Sequence, residues 1–379
     1  MKKIVGALAL VLLGAGCSGA DGFEGDAEDV GKVEFALSNT SWADTGPLPQ
    51  DFTLSNPVSA TKKSTAGAYI NWTFAQDNLT NIRYSIFDKA ANTNSAWTIL
   101  PGTAVMGNSA PDATSWNGCN GAPNRNIAVA WIDPSGNAKV SFSKPTNATN
   151  ISATPVDLGG GNAAQRPGLV YSIGKLLVIT MNAANNNYRF KWTQIGCGGD
   201  IFQPWSGWIN FPAKAFGGGA GAATVTNTPP TAQVGVVGVA SAGCANNLCP
   251  AFMTRINIPQ AQAAAPTFFN NVWAQVPSSF PSGSTMSLVQ KEGFAATGAY
   301  VVARNTTDTN VRVALTTNAS NITGAWTNMG SVNCSPVFGS PTLSLQEFTF
   351  NPGAPAVLKF RLNVACNPSA KVRFSLLSE

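Results

Sequence analysis

The sequence predicts an all-β fold, and three observations lead to this prediction. Gly, Pro, Asn, Ser and Thr are abundant and only 11% of the 379 residues are charged, which is typical of short strands joined by polar turns. Apolar residues occur in short runs or alternate with polar ones, without helical periodicity. A pattern of about 55 residues also recurs along the chain. Hydrophobic residues make up 44% of the chain, which is enough for a large buried core.

The recurring pattern contains four elements in a fixed order. The first is a proline shortly before a short strand, at Pro57, Pro111, Pro167, Pro230, Pro281 and Pro341. The second is a nearly all-apolar strand, found as "GAYINWTF" (67–74), "NIAVAWID" (126–133), "KLLVITMN" (175–182), "GVVGVAS" (235–241), "GAYVVARN" (298–305) and "AVLKFRLNV" (356–364). The third alternates, as in "NYRFKW" (187–192) and "TRINI" (254–258). The fourth is a polar turn with a tryptophan, at Trp42, Trp97, Trp208, Trp273 and Trp326, which "NISATPVDLG" (150–159) lacks.

Six copies of a four-strand unit predict a β-propeller of four-stranded antiparallel blades. A strand that is apolar on both faces is expected where neighbouring blades cover it on both sides. The last copy lacks a fourth strand, and the N-terminal "SNTSWADTG" (38–46) is expected to supply it and to close the ring. "KVEFAL" (32–37) looks like a further third strand, so a seven-bladed ring is the alternative.

The N-terminus carries a targeting segment. "MKK" followed by the apolar run 4–16 predicts a secretion signal that is too short to span a membrane. Together with Cys17 it resembles a bacterial lipoprotein signal, which implies lipidation of that cysteine and an exported protein anchored at the outer membrane or cell surface. The alternative is cleavage after Ala20 and a soluble periplasmic or secreted protein. The expected domains are a signal peptide (1–16), an acidic Gly-rich tether (17–31) and the propeller (32–379).

The cysteines fit an exported propeller. Without Cys17, six remain, and an even set in such a protein predicts disulfides. By their positions in the predicted blades, the cysteines form three candidate pairs, with free thiols as the alternative. The pairs are Cys119–Cys197, Cys244–Cys249 and Cys334–Cys366.

One part of the chain has a family resemblance. "RPGLVYSIGKLLVITMNAANNNYRFKWTQ" (166–194) with "WSGWINF" (205–211) resembles sialidase-like propellers and, more closely, bacterial propeller lectins that bind fucose and related sugars. In those lectins sugars lie between blades on aromatic residues, and a W-x-x-W pair recurs. Trp205 and Trp208 keep this pair, so the resemblance implies a sugar site there. The alternative is that each outer tryptophan is an apolar plug between blades.

Arginines recur on the third strands, at Arg83, Arg189, Arg255, Arg312 and Arg373. They could contact acidic glycans, and Arg189 is therefore a candidate ligand-binding residue together with the tryptophan pair. Repetition at matching positions favours a structural role instead. In that role each arginine would stack on the tryptophan of the next blade or pair with a loop carboxylate.

The sequence offers little for catalysis. The chain contains no histidine, the usual general base and zinc ligand, and neither a metal site nor a cofactor is predicted. A glycosidase needs two carboxyl groups about 5–9.5 Å apart. Only Asp112 and Glu292, with Arg166 and Arg304, are expected near the central channel.

These observations favour a monomeric, non-catalytic binding protein. The expected partners are the membrane, through the lipid, and a glycan or an envelope protein. No Lys/Arg run concentrates the net charge of +5, so no nucleic-acid partner is predicted. The alternatives are a sialidase-like glycan hydrolase and a purely structural envelope component.

Overall fold

Strands form where the sequence repeats its short apolar runs. A computed structural model describes residues 38–44, 57–63, 69–77, 79–88, 93–105, 109–117, 125–142, 151, 154–196, 201, 203–228, 230–281, 284–290, 299–304, 310–316, 327–331, 337–349, 357–366 and 371–378. Within these ranges the chain consists of strands, turns and irregular segments, with no helix. The predicted all-β class is confirmed.

The described strands form six antiparallel sheets, numbered here by the position of their first strand. Sheet 1 contains Val58–Lys63, Tyr69–Gln76, Ile82–Asp88 and the short strands Thr93–Asn94 and Thr98–Ile99. Sheet 2 contains Asp112–Asn117, Arg125–Ile132, Ala138–Phe142 and Val156–Gly159. Sheet 3 contains Ala163–Ser172, Lys175–Asn182, Asn187–Gln194 and Ile209–Asn210.

The remaining three sheets follow the same plan. Sheet 4 contains Gly221–Thr228, Thr231–Val239, Leu248–Pro259, Thr267–Phe268 and Ala274–Pro281. Sheet 5 contains Ser287–Gln290, Ala299–Arg304, Asn310–Thr316 and Thr327–Ser331. Sheet 6 contains Val337–Thr349, Val357–Cys366, Lys371–Ser378 and Ser38–Asp44. The predicted four-stranded antiparallel unit is confirmed, and in sheets 1 and 4 two separate strands pair with the third strand at the outer position.

The sheets are arranged as in a propeller. The first strand of each sheet contacts the first strand of the next, and the first strand of sheet 6 contacts that of sheet 1. The N-terminal strand Ser38–Asp44 is the outer strand of sheet 6, where Ser38 lies opposite Ser378 and Asp44 opposite Arg373. The first strands therefore face the middle of the arrangement. Among the described residues, Trp97, Trp208 and Trp273 lie next to the outer strands of sheets 1, 3 and 4.

The prolines mark the first strands less regularly than the sequence predicts. Pro57 and Pro111 directly precede a first strand, as expected. Pro230 instead lies in the turn between the first and second strands of sheet 4, so the prediction for that copy is wrong. Pro167 and Pro341 lie inside first strands, each within a register irregularity. A strand tolerates proline at such a bulge because no ladder hydrogen bond is required there.

The core consists of layers between neighbouring sheets. One face of sheet 2 packs Val129 and Trp131 against sheet 1, and its other face packs Ala128 and Ala130 against sheet 3. Similar layers join sheets 3 and 4, and sheets 4 and 5. The second strand of sheet 3, Lys175–Asn182, is buried along its length except at Asn182. This confirms for sheet 3 that an apolar second strand is covered on both sides.

One predicted disulfide lies within the described residues. Cys244 and Cys249 are bonded to each other where the second strand of sheet 4 turns into the third. The prediction that this third strand begins near Thr254 is wrong, because the turn is tight and the strand already begins at Leu248. The predicted pair Cys119–Cys197, together with Cys334, lies outside the described residues, and Cys366 is described only in its backbone. Cys17, the signal, the tether and "KVEFAL" also lie outside them.

Two features are absent from the described residues. No helix among them is long and apolar enough to cross a membrane. The same part of the chain contains no cluster of three or more His, Cys, Asp or Glu side chains that could hold a metal ion.

Candidate functional site

The candidate site begins with the third strand of sheet 3, Asn187–Gln194, which alternates aromatic and cationic residues. Neighbouring side chains of a strand point to opposite faces. Tyr188, Phe190 and Trp192 belong to the core layer shared with sheet 4. Arg189 and Lys191 therefore lie on the face toward sheet 2, opposite Thr180 and Val178 in the register. The two cations thus reach the junction between sheets 2 and 3.

Trp205 and Trp208 lie at the same junction. Both are half-buried and pack against the core layer between sheets 2 and 3. The segment that carries them is fixed to the third strand, because Thr193 Oγ1 donates to the carbonyl of Gln203 at 2.6 Å and the backbone N–H of Trp192 donates to Ser206 Oγ at 3.1 Å. The structure therefore brings the predicted tryptophan pair and Arg189 together.

Arg189 stacks on Trp208. Its guanidinium carbon lies 4.7 Å from the ring centroid, Nη2 donates to the carbonyl of Gly160 at 3.0 Å, and Nε lies 3.4 Å from Thr180 Oγ1. The described residues offer no hydrogen-bond partner to its third nitrogen, Nη1. A cation over an indole ring is attracted by the electron-rich face, so the pair holds both groups in place. One donor nitrogen of Arg189 is left for another acceptor.

Lys191 adds a second cation beside the same ring. Its Nζ lies 5.2 Å from the Trp208 ring centroid and donates to the carbonyl of Leu158 at 2.7 Å. Burial lowers the pKa of the Lys191 amine, the nearby Arg189 charge lowers it further, and the Asp157 carboxylate opposes both effects. An ammonium group has three N–H donors, so this contact uses only one of them. The junction is therefore rich in donors and positive charge.

The loop after the last strand of sheet 2 allows this close contact. Gly160 has a φ of +117°, which favours glycine. A Cβ atom at this position would lie 3.1 Å from Nη2 of Arg189 and 3.3 Å from the Trp208 ring. We call the group of Gly160, Arg189, Lys191, Trp205 and Trp208 the junction site.

The other recurring arginines have different surroundings. Arg83 pairs with the buried carboxylate of Asp77, with its Nε 2.9 Å from Oδ2, as a structural role predicts. Arg255 lies over the Phe269 ring at 4.3 Å. The side chains of Arg312 and Arg373 lie outside the described residues. The aromatic ring under Arg189 belongs to the same sheet, so the expectation of a tryptophan from the next blade is wrong for this residue.

Arg189 and Arg255 are not at matching positions, which corrects the prediction from the repeat. Arg255 lies opposite Gly235, on the face of sheet 4 that carries Val237 and Met253 toward sheet 5. Arg189 faces the preceding sheet instead. The two arginines therefore lie on opposite faces of their sheets, because neighbouring side chains of a strand alternate between its faces.

The first strands of sheets 1 to 5 line a partly open cavity of about 90 Å³. Asp112 of sheet 2 and Arg166 of sheet 3 line it and form a buried ion pair, and the Leu169 N–H donates to Asp112 Oδ2 at 2.7 Å. Glu292 and the Arg304 side chain lie outside the described residues. The described lining contains one carboxyl group, whereas a glycosidase requires two.

The sequence did not single out Lys191 or Gly160. A usable signal for Lys191 was the alternation in "NYRFKW", because residues two apart on a strand share a face. The role of Gly160 depends on the approach of sheet 3, which local sequence does not encode.

Comparisons with known proteins support the fold. No protein-family model and no curated protein matches this chain. The structure of AofleA from Arthrobotrys oligospora is similar with a TM-score of 0.56 and 13% identity, over 89% of this chain and 86% of that chain. A protein of unknown function from Dyadobacter fermentans is similar with a TM-score of 0.51 and 11% identity, over 90% of this chain and 98% of that chain. Neuraminidase-like proteins are similar at lower TM-scores of 0.47 to 0.49. At these identities the similarity supports a propeller-like fold alone.

Proposed function

We propose that this protein is a carbohydrate-binding propeller whose ligand site is the junction site between sheets 2 and 3. One observation carries the proposal: a half-buried tryptophan pair lies beside two cations that still have unused N–H donors. Sugars are bound by aromatic surfaces together with a few well-placed polar groups, and the junction site offers both.

The proposal includes a six-bladed ring closed by the N-terminal strand. The contacts between successive first strands and the pairing of Ser38–Asp44 with Lys371–Ser378 support it. It also includes lipidation of Cys17 and export to the outer membrane or cell surface, with no catalytic step and a monomeric state. The Cys244–Cys249 disulfide fits an exported protein.

A glycan array with the purified protein tests the sugar site. We expect saturable binding to a defined sugar, weakened about tenfold or more by Trp205→Ala because an aromatic contact surface is removed. Phe269→Ala is the matched control, since it removes an exposed aromatic ring beside an arginine in sheet 4. A blank array from folded protein would rule out the carbohydrate proposal and direct the search to envelope proteins.

The anchor is tested separately with Cys17→Ala. Wild-type protein is expected in the membrane fraction with incorporated acyl label, because several chains on one cysteine hold a protein stably. The variant is expected to lack the label. Unlabelled wild-type protein would show that the signal is an ordinary secretion signal.

A further inference from the structure

The two cations of the junction site have no acidic partner. The acceptors of Arg189 and Lys191 are two backbone carbonyls and the Thr180 hydroxyl. Among the described residues, neither cation forms an ion pair. Arg83 of sheet 1, by contrast, is paired with the buried carboxylate of Asp77. The junction site therefore holds two positive charges without a counter-charge.

The acids beside this site are bound to another lysine. Nζ of Lys139 lies 3.3 Å from a carboxylate oxygen of Asp133 and 2.5 Å from one of Asp157. The Asp157 charge also favours the charged form of Lys191, although the two side chains form no ion pair. Because Lys139 already neutralises one of the two acids, an excess of positive charge remains once Arg189 and Lys191 are counted.

The two unpaired charges are close together and partly removed from water. The guanidinium carbon of Arg189 and Nζ of Lys191 lie 4.7 Å and 5.2 Å from the same Trp208 ring centroid, so at most about 10 Å separates them. Burial lowers the pKa of both groups, and the Arg189 charge lowers that of Lys191 further. A nearby anion favours the charged forms of both groups, and hydrogen bonds between opposite charges are stronger than neutral ones.

We propose that the junction site prefers anionic saccharides, with a carboxylate or a sulfate ester, to their neutral counterparts. This inference rests on the proposed carbohydrate-binding function and specifies the ligand class. The anionic group accepts hydrogen bonds from the unused N–H donors of Lys191 and Arg189, and the sugar ring contacts the tryptophan pair. A neutral sugar also offers acceptors, but it leaves both charges uncompensated.

A glycan array of matched pairs tests the preference. It carries uronic-acid oligosaccharides beside their carboxyl-reduced forms, and sulfated oligosaccharides beside their desulfated forms. We expect the purified protein to bind an anionic probe about tenfold or more tightly than its neutral counterpart. This preference should decrease as the salt concentration rises, because salt screens the attraction between opposite charges.

Variants of Lys191 connect the preference to the site. Lys191→Gln should reduce the preference about fivefold and leave the affinity for the neutral probe unchanged, whereas Lys191→Arg should keep the preference because it keeps the charge. Lys214→Gln is the matched control, since it removes the same charge from a lysine that lies over the Phe252 ring of sheet 4. It should keep the preference.

Three outcomes would overturn the proposal. If wild-type protein binds neutral probes as tightly as the anionic ones, the carbohydrate-binding function stands and the preference for anions is wrong. Equal losses of preference in Lys191→Gln and Lys214→Gln would assign the effect to net charge instead of the junction site. A blank array from folded protein would refute both the preference and the carbohydrate-binding function.

Discussion

The two faces of strand Asn187–Gln194 differ in what they contact. Toward sheet 4, Tyr188 stacks on Phe216 with ring centroids 4.0 Å apart, and the buried Phe211 and half-buried Trp273 complete an aromatic layer. Toward sheet 2, the same strand presents Arg189 and Lys191 to a half-buried tryptophan. One strand therefore contributes to the core on one side and to the candidate site on the other.

The difference shows how a propeller-like fold combines stability with function. The aromatic side excludes water so completely that burial raises the pKa of Tyr188 well above its usual range, and its hydroxyl donates to the carbonyl of Gly218 at 2.8 Å. On the side toward sheet 2, Arg189 and Lys191 keep N–H donors available for a ligand. A strand needs only one packed face to be held in place, so the other is available for a ligand.

The largest expected effect comes from breaking the aromatic side. Phe216→Ala removes a fully buried ring and should lower the free energy of unfolding by about 3–5 kcal/mol, measured by urea denaturation. Sugar binding by the folded protein should persist. Phe269→Ala, at a ring that is 42% exposed, should change stability by about 0.5 kcal/mol or less. Equal losses in the two variants would contradict this account of the core.

Disrupting the side of the strand that carries Arg189 and Lys191 should reduce the free energy of unfolding less. It should affect glycan binding more. Trp208→Ala removes a half-buried ring and its contact with Arg189, a loss of about 2–3 kcal/mol of unfolding free energy. Glycan binding should be lost in the folded variant. Unchanged binding would mean that Trp208 is only a plug between sheets.

Gly160 and Gly161 are neighbours in the loop after the last strand of sheet 2, and substitutions at the two positions can be compared directly. Gly160→Ala should cost about 1–3 kcal/mol and weaken sugar binding, since the new Cβ strains the backbone and displaces Arg189 and Trp208. Gly161 also has positive φ but has no atom within 4 Å of a Cβ position. Gly161→Ala should therefore destabilise the protein without affecting binding. A loss of binding in both variants would indicate a general loop effect.

The smallest expected effect is a pH dependence of the unfolding free energy, caused by Lys175 on the face toward sheet 4. Lys175 Nζ is buried and donates to the carbonyls of Pro259 and Ala261, and burial lowers its pKa to about 8. Above that pH the folded protein has lost a proton that the unfolded chain still holds. Unfolding free energy should therefore rise by about 1 kcal/mol between pH about 8 and about 9.

Lys175→Met serves as the control for this titration, because its side chain has no proton to lose. Urea denaturation at the two pH values should show no such rise in the variant. An equal rise in both proteins would assign the effect to another group.

The sequence predicted the all-β class, the four-stranded unit and the N-terminal outer strand, because strand periodicity and turn residues are local signals. It also named Trp205, Trp208 and Arg189 as candidate ligand-binding residues, but not the contact of Arg189 with Trp208 of its own sheet. It could not predict that Arg255 faces away from sheet 3, because a one-residue change in register reverses every side chain of a strand. Similarly, the pairing of Asp112 with Arg166 depends on the approach of two different sheets.

The pairing of Ser38–Asp44 with Lys371–Ser378 has a consequence for biosynthesis. The N-terminal strand can pair only after the distant strand Lys371–Ser378 has been synthesised. Until then the edge of Ser38–Asp44 lacks its native partner and can pair with other chains. The growing chain is therefore open to aggregation during the interval between the synthesis of these two strands.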